Sequence, residues 1–232
     1  MLMFLMYWLL FFISQFIAFL PQMLKPMFEF IRDNPEADQM ELIDNVFTTL
    51  SYPWYLNLLQ VSIFALMIYL FKNKGINFFS KAPIKIKEIF FIIGASIGLI
   101  VISGILENVI ARLQPAFNTE NQVGLEGLFS NSSPITMFIS VVILAPIIEE
   151  VLFRGIFMKV LFAGKDTLGY IVCAVAFTLV HSPTDFYSFL IYFTMALGLG
   201  WIYWRTERIE ASIFAHFLNN LLAFVLMMIY QG

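Results

Sequence analysis

Apolar residues in this chain come in long blocks rather than in the alternating or 3.6-residue patterns of half-buried strands and helices. Runs without a charged residue cover 1–24, 50–71, 89–106 and 167–184. Each is close to the roughly 20 residues that carry a helix across a hydrocarbon core. Backbone polar groups find no water in that core, so a segment crossing it satisfies them internally, as a helix does. The blocks predict spans near 1–21, 51–71, 88–106, 135–163, 167–182, 186–204 and 209–230. Pro146 and the stretch "HSPTD" at 181–185 interrupt the fourth and fifth of these. An eighth half-span or an interfacial helix fits within 25–50. The expected fold class is all-α, a polytopic transmembrane helical bundle of about 7–8 spans with its site buried between helices. The first block lacks a basic start and a small-residue cleavage site, so it reads as a retained span. Gly94 and Gly98, a G-x-x-x-G in the third span, are expected to pack closely against a neighbouring helix of the bundle.

Composition agrees. Of 232 residues, 60% are hydrophobic and 12% charged, against about 45–50% and about a quarter in soluble domains. The net charge of −3 carries no signal for nucleic acid, and the single Cys173 excludes an intramolecular disulfide and a CxxC zinc site. Charge orders the loops. Lys72, Lys74, Lys81, Lys85, Lys87, Lys159, Lys165, Arg205 and Arg208 fall on one side of the predicted membrane. Lys25, Arg32 and Arg112 fall on the other, beside the acidic loop with Glu29, Asp33, Glu36, Asp38, Glu41 and Asp44. The positive-inside rule then places the N-terminus inside and the C-terminus outside a cell membrane.

Ionisable residues at membrane depth cost roughly 2.5–3.5 kcal/mol each and usually face partners or a wet cavity. Here they gather in "EEVLFR" (149–154), "FTLVH" (177–181) and "HFLNN" (216–220), which include both histidines of the chain. Glu150 and Arg154 are four apart on one helical face and can pair, leaving Glu149 about 100° around the helix. His216 and Asn220 share another face, with Ser212 one turn earlier. Glu149 lies 16 residues before Lys165 and His181 lies 16 after it. A helical hairpin turning there brings both to a common depth, at most about 24 Å along the helices.

A carboxylate in a low-dielectric cavity can act as a general base toward water. A neighbouring histidine can orient that water, and a second histidine with an amide can stabilise an oxyanion. These groups make a peptide-bond hydrolase without a nucleophilic side chain. Alternatively, Glu149, His181 and His216 could bind zinc, which would activate the water instead. The H-E-x-x-H signature is absent, so such a site would draw on three helices.

E-E-x-x-x-R (Glu149, Glu150, Arg154), F-x-x-x-H (Phe177, His181) and H-x-x-x-N (His216, Asn220), in this order on apolar helices, resemble the CAAX protease and bacteriocin-processing (Abi) family. The stretch 198–222 is similar to the region around that family's last motif. The resemblance spans roughly 134–222 and implies an intramembrane endopeptidase, often described as metal-dependent. It divides the chain into an N-terminal membrane region, 1–133, and a catalytic core, 134–232. By motif position, Glu149 is the catalytic carboxylate and acts with His181 on water. His216 and Asn220 support the transition state, and Glu150 and Arg154 clamp or assist. A peptide or membrane-anchored protein is the implied substrate, and bacterial peptide (bacteriocin or pheromone) processing, self-immunity or CAAX-type processing is the implied setting. A non-catalytic bacteriocin-immunity protein and a proton-coupled transporter are the competing readings. Transporters often carry repeated halves, and no such repeat is evident here.

Overall fold

The structure is a computed structural model that describes residues 2–36, 38, 41–42, 45–46, 49–115, 117 and 119–231. Asp44 of the acidic loop lies outside the described residues. Eight described helices order the chain: α1 (Leu2–Asp33), α2 (Trp54–Asn73), α3 (Ile86–Leu113), α4 (Glu120–Ser130), α5 (Pro134–Leu161), α6 (Asp166–Val180), α7 (Phe186–Thr206) and α8 (Ile209–Gln231). No strand occurs among the described residues. Five of the helices, α2, α3, α5, α7 and α8, are long and apolar enough to cross a membrane. Helix α6 is apolar but shorter, at 15 residues. The all-helical membrane fold expected from the apolar blocks is the observed one.

Local chemistry explains the helix ends. Glycines in the left-handed region follow α2 (Gly75, φ +78°) and α5 (Gly164, φ +76°), where a side chain would be strained. Asp185 caps α7 as its position before Phe186 suggests, accepting hydrogen bonds from the backbone N–H groups of Tyr187 (2.7 Å) and Ser188 (2.8 Å). Helix α4 is an element the apolar pattern does not foretell. Pro146 does not break the fourth span. Helix α5 runs through it by switching to π-type winding at Phe138–Leu144, returning to α at Ala145–Glu150, and winding as π again over Val151–Leu161. Such insertions often mark functional segments.

The chain forms two compact units. The first comprises residues up to Gly75 together with Gly124–Ser140. Within it α1 packs on α2, and buried Asn57 donates from Nδ2 to the Thr136 carbonyl (3.1 Å). The second unit comprises Ile76–Val123 and Val141–Tyr230. Within it α7 packs against both α3 and α6, and α6 packs against the second π segment of α5. The close approach is at Gly198, where any Cβ would collide with the Leu99 side chain. Gly94 and Gly98 correct the sequence expectation. Among the described residues, a Cβ at either would meet nothing within 4 Å, so neither marks a close helix contact there.

Candidate active site

All six candidate residues lie in the second unit. Glu149, Glu150 and Arg154 ride on α5, straddling the change from α to π winding. His181 is the first residue beyond α6, and His216 and Asn220 sit on α8.

The buried foundation is a charge pair. Arg154 and Glu150 are fully buried and meet at 2.8 Å, Nη1 to Oε1. Nη2 of Arg154 donates to the Ala196 carbonyl on α7 (2.8 Å), and its guanidinium lies 5.0 Å from the centre of the Phe177 ring. Glu150 gathers two more donors: the Ser212 hydroxyl on Oε2 and Nδ1 of His216 on Oε1 (3.0 Å). One carboxylate thus ties α5 to α8, while its arginine ties α5 to α7. Burying such charges is tolerable only when they are paired and hydrogen-bonded.

That foundation sets the tautomers. A carboxylate paired with arginine only accepts, so His216 carries its proton on Nδ1 and, when neutral, presents a bare Nε2. His181 is arranged alike, with Nδ1 2.8 Å from the Phe177 carbonyl, which also only accepts. The His181 ring is stacked between Phe177 (centroids 4.6 Å apart) and Tyr192 (4.7 Å). The Tyr192 hydroxyl is in turn hydrogen-bonded to Thr119 (2.8 Å).

Both Nε2 atoms converge on Glu149. Its Oε2 lies 3.9 Å from His181 Nε2 and 4.0 Å from His216 Nε2. That oxygen is buried and has no hydrogen-bond partner among the described residues, although the Glu149 side chain is 26% exposed and His181 15%. A water hydrogen-bonded at about 2.8 Å to both atoms of either pair would see them at an angle near 90°. The hairpin argument therefore succeeds in bringing Glu149 and His181 together. The donor chemistry also resembles a zinc site, but ligands of one tetrahedral zinc lie only about 3.3 Å apart. Among the described residues, no three His, Cys, Asp or Glu side chains are placed to hold a metal ion. Glu149, His181 and His216 are the side chains that would hold a metal at this place.

Asn220 is placed differently. Its Nδ2 donates to the backbone carbonyl of Val141 on α5 (2.9 Å). A cavity of about 440 Å³ lies elsewhere in the unit, lined by Ile84, Ile89, Ile92, Arg208, Glu210 and Phe214 among others, and holds none of the six residues. Sequence reasoning missed Tyr192 and Thr119. Phe177 was visible through its four-residue spacing to His181, whereas nothing local links Tyr192 to a histidine on another helix.

Residues 131–222 match the model of the type II CAAX prenyl endopeptidase Rce1-like family. The matched segment contains all six residues. In that segment the chain is similar to the CAAX prenyl endopeptidase family. The chain is also similar to UPF0177 protein YbdI of Lactococcus lactis subsp. lactis (strain IL1403), 26% identical over 170 residues, covering 72% of this chain and 92% of YbdI. UPF0177 protein YvdC of the same strain is 27% identical over 134 residues, 57% of this chain and 51% of YvdC. YdiL of Bacillus subtilis (strain 168), which its name proposes to be a membrane peptidase, is 32% identical over 88 residues. That match covers 38% of this chain and 35% of YdiL. No solved structure matches. At the coarse level, the similarity to that family and the apolar helices support a multi-pass membrane protein of protease type.

Proposed function

We propose that this chain is an intramembrane endopeptidase in which Glu149 removes a proton from a water molecule as that water attacks a peptide carbonyl. The observation that carries this reading is the unpartnered Glu149 Oε2, about equally far from two histidine nitrogens whose rings are fixed through their other nitrogen. His181 and the carboxylate hold the water. His216, when protonated on both nitrogens, donates from Nε2 to the developing oxyanion, and Glu150 accepts from Nδ1 and stabilises that positive ring. Glu149 then returns the proton to the leaving amine, as a base turned acid does in the second half of a hydrolysis. Each of these steps uses the chain's own side chains, and the substrate is a peptide or a membrane-anchored protein.

The loop charges support an orientation. If the turn at 162–165, flanked by Lys159 and Lys165, faces the cytoplasm, then His181, at the opposite end of α6, belongs to the outer half of the membrane. Substrate would then reach Glu149 from the outer side. The purified protein in liposomes, given a prenylated CAAX-terminated reporter peptide in H₂¹⁸O, is expected to release a fragment with one solvent oxygen in its new carboxylate. A reporter that binds and remains uncleaved would favour a non-catalytic immunity protein, and ion uptake without cleavage would favour a transporter.

A further inference from the structure

We infer that Asn220 and Pro146 form a complementary pair, in which the Asn220 amide supplies to helix α5 the hydrogen-bond donor that Pro146 lacks. In this role Asn220 is a positioning residue for Glu149. The inference deepens the protease reading, on which its functional half rests, and its structural half stands on the backbone alone.

The geometry follows from helix winding. In the π-type segment Phe138–Leu144, each N–H bonds back five residues. The donor due at the Val141 carbonyl in that register is the N–H of residue 146. Proline has none. The N–H of residue 145, which would serve Val141 in α register, is due one carbonyl earlier in strict π register. In the π register the Val141 carbonyl therefore has no helical donor. A carbonyl inside an apolar bundle cannot remain unpaired without cost. Nδ2 of Asn220 reaches it at 2.9 Å from α8, and the α register resumes at Ala145–Glu150, with Glu149 one turn beyond Pro146. Four residues earlier on α8, His216 is bonded to Glu150. Helix α8 thus grips α5 at two places, one on each side of Pro146. The pair sets both the lateral position and the rotation of the turn that carries Glu149.

A donor aimed only at the oxyanion would make no use of Pro146, so the two roles separate in a double-mutant cycle. The cycle uses Asn220→Ala, Asn220→Asp, Pro146→Ala and the corresponding double variants of the full chain in detergent or liposomes. Asn220→Asp keeps the shape but, ionised, donates nothing, which guards against a cavity effect. Hydrogen exchange of the 141–150 amides is the first readout and kcat against KM on the reporter peptide is the second. Loss of the Asn220 donor is expected to speed exchange in that segment about three- to tenfold and to lower kcat more than it raises KM. Pro146→Ala, which restores the N–H, is expected to be tolerated alone and to return both readouts of the Asn220 variants to within about twofold of the parent. Two results would overturn the inference. One is unchanged exchange in both Asn220 variants, and the other is a defect that Pro146→Ala leaves as large as before. If the parent protein cleaves nothing, the protease reading fails, and the exchange measurement still decides the pairing.

Discussion

Glu150 accepts a hydrogen bond from Nδ1 of His216 at 3.0 Å, and His216 turns its other nitrogen toward Glu149, the residue next to Glu150 in the chain. Two adjacent glutamates in one apolar helix therefore have opposite circumstances. Glu150 is buried among three donors, whereas Glu149 keeps an oxygen without a hydrogen-bond partner among the described residues. Neighbouring positions on a helix point about 100° apart, and that rotation is what separates the clamp from the proposed base.

Arg154→Ala is expected to destabilise the protein far more than Glu149→Gln. Removing the guanidinium leaves Glu150 charged in a dry interior and frees the Ala196 carbonyl. Breaking a buried pair from one side commonly costs about 3–5 kcal/mol. Thermal melting of both variants in the same detergent checks the ranking. Equal melting temperatures would mean that the pair does not brace α5 against α7 and α8.

Tyr192→Leu is expected to lower kcat about two- to tenfold, the scale of one aromatic stack, with little change in KM. The leucine removes the lower face of the sandwich holding His181. Tyr192→Phe keeps the ring and loses only the bond to Thr119, so it is expected to retain most of the activity. Identical behaviour of the two variants would show that stacking does not orient His181.

Activity is expected to survive dialysis against chelators within about twofold, because the separations among Glu149, His181 and His216 exceed those between ligands of one zinc. Metal analysis of the purified protein accompanies the assay. A loss after chelation that zinc restores would mean that the three side chains close on a metal in the working enzyme.

Much of this arrangement was legible in the sequence. Equal distances of Glu149 and His181 from Lys165 foretell their meeting, because helical rise is uniform enough to count along. The Glu150–Arg154 pair follows from one turn of spacing. The role of Pro146 was not legible: a proline inside an apolar span reads as an interruption, and only the π winding of α5 and an amide on α8 remove the conflict. Tyr192 was hidden for a related reason, since its partner His181 follows a break in a different helix. The G-x-x-x-G at Gly94 and Gly98 misled, because a small-residue motif on a helix does not say which neighbour, if any, comes close.

Orientation has its own test. On a Cys173→Ala background, a cysteine at Thr184 is expected to react in intact cells with a membrane-impermeant maleimide, and one at Lys165 only after the cells are opened. The reverse pattern would put the site on the cytoplasmic side and invert the proposed route of substrate entry.

The most direct measurement is the rate of reporter cleavage by Glu149→Gln protein reconstituted beside the parent at equal amounts of folded protein. The amide keeps the side chain's shape and both neighbouring histidines, and it removes only the capacity to take a proton from water. Cleavage is expected to fall roughly 100- to 10,000-fold, the usual worth of a general base, with the melting temperature unchanged. A Glu149→Gln protein that cleaves at the parental rate would contradict the assignment of Glu149 as the base.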